Sequence, residues 1–456
     1  MPLRSSAADG AAAARLDSAD RESRERDERR ARGTFGARPG PPPSASTPPR
    51  PVKFGTTMHN CISHRVMRSR GWKETEESDW DIFYADVGWI HENMPYGPGQ
   101  LKLCDHQRVN HFPNHIELTR KDLMVKNLKR YRKQLEREGR HEEAAKFDFF
   151  PQTFALPSEA AMFIQEFKRD AGSIWIMKPI GRAQGKGIFL VNKLAQVNEW
   201  MRERQKKAEG GDICYENYVV QRYLQDPYLV GSKKFDLRLY VLCLSYNPLK
   251  AYLHREGFAR FTAARYSSSK DDLSNSYIHL TNHAIQKKDT NYDPTVCDLK
   301  WPISGLKRHL ISKHGEARAN ECFTEIRNLL INSLRAVAHV IINDRHCFEL
   351  YGYDIMLDAS LKPVLIEVNA SPSMSADSET DRQLKSALLD DVFNVIDMEN
   401  RFGGRLPARV GGFDLMCDSG TPLQRSEQHS SLTTLLGCKN NREESLRKLN
   451  ACLTKN

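Results

Sequence analysis

VLIEVNASPSM, from Val364 to Met374, interrupts an aliphatic run with a glutamate and an asparagine two residues apart and then turns at Ser-Pro. Upstream, FELYGYDIML (Phe348 to Leu357) is a second apolar run, joined to the first by the polar link DASLK. The pair predicts a β-hairpin turning near Ser360 and Leu361, with Asp354 opposite Glu367. Side chains alternate with period two, so Glu367 and Asn369 share a face, and that face also receives Asp354. Carboxylates facing each other across strands repel, and a half-buried pair needs a shared proton or a cation. All the donors are oxygens, the set that suits Mg²⁺. Taken alone, the hairpin also reads as a surface ribbon with a solvated acidic edge.

If a phosphate–metal group sits there, cations and backbone donors belong nearby. WIMKPIGRAQGKGIFLV (Trp175 to Val191) places Lys178 in a strand, then Lys186 between Gly185 and Gly187. Glycines let backbone N–H groups approach phosphate oxygens, and lysines add point charge. The loop leads into a strand, whereas Walker and dinucleotide-binding loops open into helices, so neither of those readings fits. A plain hairpin turn would look similar. In KKFDLRLYVL, Lys234, Asp236 and Arg238 share one strand face against Phe235, Leu237 and Leu239, a pattern that a solvated strand face would also give.

Short apolar runs, SIWIMKPI, GIFLV, YVVQRYL, FDLRLYVLCL and KAYLHREGFARF, read as strands. FIQEFKRD, VNEWMRERQKK and CFTEIRNLLINSLRAVAHVIIND have helical spacing, so the class is α+β. Residues 1–52, rich in Ala, Arg, Glu, Pro and Ser, read as a disordered arm. A subdomain at 53–150 carries a basic helix, LTRKDLMVKNLKRYRKQLEREG, with Thr119 as N-cap and Asp122 closing a capping box. Its lysines and arginines suit a solvated face or a docking surface for an acidic partner. Residues 151–235 and 236–400 form two further subdomains, the second with the metal site, and 401–456 reads as a mostly irregular tail.

The formal net charge of +10 over 456 residues favours acidic partners without choosing among them. No nucleic-acid module or interleaved aromatic–basic run is present. Ten cysteines are spread singly without metal-binding spacing, which predicts free thiols in a reducing compartment. No window is long and apolar enough to span a membrane.

WIMKP, QGKGIF, KFDLRLYVL, HLTN, GYDI and LIEVNASPS, in this order and spacing, resemble the ATP-grasp enzymes of the tubulin tyrosine ligase-like family, most of all its compact glutamylases. The likeness runs from about residue 59 to about 400. It implies ATP held between two antiparallel sheets, preceded by a small N-terminal subdomain. Lys178 and Lys186 would meet the phosphates under a loop bearing Gln184 and Gly185. Gln221, Arg222, Tyr223 and Leu224 would line the adenine, with Lys234, Phe235 and Asp236 beside the sugar and base. Arg238, Thr281 and Asn282 would lie at the phosphate end, and Asp354, Glu367 and Asn369 would hold Mg²⁺. Arg260, assisted by Lys300, would grip the carboxylate of free L-glutamate, and Lys178, Arg238 and Glu367 would carry the chemistry.

The activity so implied is ATP-dependent addition of glutamate to glutamates in the acidic tails of tubulin in microtubules. It would take place in the cytoplasm on the cytoskeleton, at the ciliary axoneme or basal body. The chain has no long basic extension after the core, so the expectation includes accessory subunits. Ligation of glycine or tyrosine, and a microtubule-binding scaffold without turnover, are the alternatives.

Overall fold

In the computed structural model, the described residues are 50–94, 101–182, 184–209, 216–288, 299–376, 378–418, 421–422 and 434–453. Most of the arm at 1–52 lies outside them. Four short strands, β1 (Lys53–Thr56), β2 (Lys73–Glu74), β3 (Ile82–Tyr84) and β4 (Arg108–Val109), form a parallel sheet of order β2-β1-β3-β4. A second sheet, antiparallel, has the order β5-β8-β6-β7, from β5 (Thr153–Leu156), β6 (Trp175–Pro179), β7 (Phe189–Val191) and β8 (Tyr218–Arg222).

The largest sheet is built on β9 (Phe235–Tyr246), which pairs with β10 (Leu249–His254), β11 (Phe258–Phe261) and, further along the chain, β13. Outside β11 lies β12 (Lys300–Pro302), and β13 (Glu349–Leu357) turns into β14 (Pro363–Asn369). Short strands β15 (Arg409–Val410), β16 (Phe413–Asp418) and β17 (Thr421–Pro422) extend the edge beyond β10. All pairings here are antiparallel, and the chain is α+β.

Period-two alternation on β9 supplies two cores. Leu237, Leu239 and Val241 are buried with Leu330 and Leu334 of a long helix, while Tyr240 and Leu242 are buried with Leu389, Val392 and Phe393 of another. The three helices that matter for the site are α1 (Lys121–Arg137), α2 (Ile303–Val337) and α3 (Glu379–Ile396). Among the described residues no helix is long and apolar enough to cross a membrane. Cys61, Cys104, Cys243, Cys322, Cys347, Cys417 and Cys438 are free thiols.

Several sequence expectations need correction. Thr119 does not cap α1: it ends the separate short helix Ile116–Thr119, and its hydroxyl donates to the His115 carbonyl. The α1 N-cap position is Arg120, whose guanidinium takes both Asp122 oxygens at 2.8 and 2.9 Å. KAYLHREGFARF is not one strand but β10 and β11, which pair with successive stretches of one edge of β9 while β13 takes the other edge. There Gly257 is required, because a Cβ would meet the Arg238 carbonyl oxygen. The segment after residue 400 is less irregular than expected, since β16 joins the large sheet through β10, while the helix Arg442–Leu453 falls where the sequence places a short helix, near Glu443 to Leu449. Helix α2 begins well before Cys322, but it is interrupted at Gly315, whose φ of 81° breaks the periodicity there.

Candidate active site

Strand register builds the centre. Leu237 and Leu239 bury one face of β9, so Asp236 and Arg238 face the other side. β11 sets Arg260 opposite Asp236, β13 sets Asp354 opposite Arg238, and β14 sets Glu367 opposite Asp354, as the hairpin reading predicts. Five ionisable side chains therefore stand in a row across four strands.

Arg238 donates to Asp354 from Nε (2.6 Å) and Nη2 (3.0 Å). Arg260 donates to Asp236 from Nε (2.7 Å) and Nη2 (2.5 Å), and that same Nη2 lies 2.9 Å from Asp354 Oδ2. Asp354 is 2% exposed, which excludes a solvated acidic edge. Burial alone would raise its carboxyl, yet the Arg238 and Arg260 guanidiniums hold it well below the usual carboxylate range. The cation that the sequence argument demanded beside the carboxylate pair is thus supplied in part by the protein. Arg260 and Lys300 both engage protein carboxylates, Lys300 donating to Asp381 at 2.9 Å.

A first cavity opens between the second and third sheets. Lys178 of β6, Gln221 and Arg222 of β8, and the following Tyr223 and Leu224 line one side. Lys234, Asp236, Asp354 and Glu367 line the other, and Gln184, Gly185, Thr281 and Asn282 complete it. Lys178 Nζ donates to Gln221 Oε1 (2.6 Å), and Lys234 Nζ donates to Tyr223 Oη (2.8 Å) and the His279 carbonyl (2.9 Å). Burial lowers Lys178 to about 8. Burial, with the charge of Lys178 added, lowers Lys234 to about 7. Gly185, at φ +74°, leaves no room for a side chain: a Cβ would lie 2.5 Å from Ile285 Cδ1 and 3.0 Å from Asn282 Oδ1. The glycine-rich loop is thereby held against the HLTN segment.

A second cavity adjoins the first. It is lined by Arg238, Arg260, Lys300, Asn369 and Ser373, and it shares Gln184, Asn282 and Glu367 with the first. Asn369 Nδ2 donates to the Gly352 carbonyl (3.2 Å), and Gly352 lets the Ser-Pro turn close over β13, since a Cβ there would lie 2.8 Å from Pro372 Cβ.

Two expected residues fall outside both cavities. Phe235 is core, packed against Phe261, because it alternates with Lys234 and Asp236 and so faces the opposite way. Lys186 is exposed and lines neither cavity.

A family model described as the tubulin-tyrosine ligase family matches residues 100–401, a span that includes every residue lining the two cavities. The chain belongs to the tubulin-tyrosine ligase family. It is 45% identical, with 87% of this chain and 92% of the relative covered, to a probable tubulin polyglutamylase TTLL9 of Rattus norvegicus. A probable tubulin polyglutamylase ttll-9 of Caenorhabditis elegans is 42% identical, with 82% of this chain and 86% of the relative covered. A probable alpha-tubulin polyglutamylase Ttll1 of Tetrahymena thermophila is 41% identical, with 80% and 93% covered.

In this member of the tubulin-tyrosine ligase family, two lysines escaped the sequence reading. Lys121, at the start of α1, lines the first cavity, lies 3.6 Å from Glu367 Oε2 and donates to the Arg182 carbonyl (3.2 Å). Lys385 of α3 lines the second cavity, with Nζ 3.1 Å from Asp381. Nothing local distinguishes either from a solvated helix lysine, and only the packing of α1 and α3 brings them in.

Proposed function

We propose that this chain is an ATP-dependent carboxylate–amine ligase that adds glutamate, through an isopeptide bond, to the γ-carboxylate of glutamates in tubulin tails. The observation that carries this reading is the meeting of two cavities at Glu367. One is walled by the buried lysines Lys178 and Lys234, and the other presents Arg260, Lys300 and Lys385. The first suits a polyphosphate and the second an amino-acid carboxylate.

In the ATP-grasp arrangement the nucleotide lies between the second and third sheets, its adenine along Gln221–Leu224 and its phosphates at Lys178 and Arg238. The residues fit a hard cation in their chemistry: Glu367 and Asn369 offer oxygens, and Asp354, although it accepts from two guanidiniums, retains acceptor capacity. Magnesium held there would neutralise charge on the transferring phosphoryl group. Lys178 and Arg238 hold that group in line with the acceptor γ-carboxylate, which attacks phosphorus while the bond to ADP breaks. The mixed anhydride so formed is attacked by the amine of free glutamate, whose α-carboxylate Arg260 orients, and phosphate leaves. Positioning and fixed charge carry the acceleration, with no protein nucleophile. The setting is the cytoskeleton, with the ciliary axoneme or basal body as the site of action.

Incubation with microtubules, Mg-ATP and labelled glutamate, glycine or tyrosine in turn tests the amino acid. Glutamate alone is expected to enter tubulin. Preferential entry of glycine or tyrosine would overturn the reading, as would ATP binding without incorporation of any of them.

Nucleotide affinity is expected to depend on pH. Lys178, placed at the phosphates and lowered to about 8 by burial, is about half neutral at pH 8, and a polyphosphate favours the protonated form. Binding therefore takes up protons, and affinity falls by about fourfold between pH 6.5 and 8.5. Calorimetry in buffers of different ionisation enthalpy reads this uptake directly, and an affinity flat across that range would contradict it.

A further inference from the structure

Outside both cavities, a groove runs between α1 and the edge strand β5 of the second sheet. Lys126, Lys129, Arg130, Lys133 and Arg137 line it at helical spacing. Its acids are already engaged: Asp122 accepts from Arg120, and Glu159 accepts from the Ala155 N–H. Lys126, Arg130, Lys133 and Arg137 make no ion pair among the described residues. Away from the groove the same stretch of chain neutralises its cations, Arg132 with Glu136 at 3.1 Å and Arg140 with Glu138 and Glu143. Lys129 is drawn inward, its Nζ donating to the Thr153 carbonyl at 2.6 Å, which occupies an acceptor on β5.

The groove leads from the reaction centre. Lys121, at the N-terminal end of the same helix, stands 3.6 Å from Glu367. From there to Arg137 the helix advances about 24 Å at ~1.5 Å per residue. An extended peptide covers that distance in about seven residues. We infer that this groove is a docking site for the acidic stretch of the protein substrate that flanks the modified glutamate, an interaction that rests on the function proposed above. Its recognition is electrostatic and independent of sequence detail, so it contributes to substrate capture and weakens as salt is added.

The test uses full-length protein and a fluorescein-labelled deca-glutamate peptide. The triple variant Lys126→Glu/Lys133→Glu/Arg137→Glu is compared with Lys73→Glu/Arg132→Glu/Lys146→Glu, which makes the same charge change outside the groove. At low salt the groove variant is expected to bind the peptide at least about tenfold more weakly than wild type, with the gap closing as salt rises. The off-groove variant should stay within about twofold, and ATP affinity should be unchanged in both. For ligation to microtubules, the groove variant should raise KM with kcat preserved, while a tri-glutamate acceptor, too short to fill the groove, is used equally well by both. Equal weakening in the two variants, or none in either, would overturn the proposal, as would a single-stranded oligonucleotide of equal charge that binds the groove more tightly than the peptide. Loss of peptide binding confined to the groove variant supports the groove even if wild type ligates no glutamate, an outcome that would sink the functional reading instead.

Discussion

The substitution Glu367→Gln is expected to lower glutamate incorporation into microtubules by about 10²–10³-fold, the usual cost of removing one preorganised charge from a transition state. Glu367 is the acidic side chain that lines both cavities, where the nucleotide and amino-acid sites would meet. Its carboxylate lies 3.6 Å from the Lys121 ammonium. Glutamine keeps the shape and the strand pairing with Asp354 but offers a single neutral acceptor, a poor ligand for a hard cation. The side chain is 22% exposed and faces the Asp354 carboxylate, so losing its charge gives up the contact with Lys121 but relieves a repulsion, and stability should move by less than about 1 kcal/mol. Incorporation of labelled glutamate, read beside the melting temperature, separates the two effects. Retained activity within about threefold of wild type would remove Glu367 from the reaction centre, whereas a large loss accompanied by a lowered melting temperature would mark its role as structural.

Local rules reached some parts of this architecture and not others. The Asp354–Glu367 pairing was legible in outcome but not in cause: the link sets Leu357 opposite Pro363, and a bulge between Asp354 and Ile355 shifts the register by the one residue that brings Glu367 into place. The face shared by Asp236 and Arg238 was legible from period two, but their partners were not. Arg260 lies on a neighbouring strand, and Asp354 arrives across the sheet more than a hundred residues later, so no window of sequence contains the network. Thr119 misled because a capping pattern says nothing about whether the preceding turn has already used the hydroxyl. Lys186 misled because a lysine between two glycines is equally free to face solvent. Lys121 and Lys385 were hidden for a tertiary reason: each reaches the site only through the docking of its helix.

The largest effect on stability belongs to Asp354→Ala, expected to cost about 3–5 kcal/mol, since removing one member of a buried ion pair strands the charge that it held. Here two guanidiniums lose a shared carboxylate and one, Arg238, is stranded. Arg238 and Arg260 have side chains 13% and 12% exposed, and among the described residues Arg260, unlike Arg238, retains a second carboxylate, Asp236. Against a typical total of 5–15 kcal/mol this is a large share, and the denaturation midpoint should shift accordingly. The acid limb of stability should change with it. Because the folded carboxyl is held below its ordinary value, its contribution is present above about pH 4 and is lost as pH falls below that. Wild type should therefore lose stability through this range more steeply than the variant. Adding Arg238→Met to Asp354→Ala removes one stranded cation, so the double variant should be more stable than the sum of the single losses by about 1–3 kcal/mol. Strict additivity would mean that the two residues act independently and that the row of charges across β11, β9, β13 and β14 is not a single network.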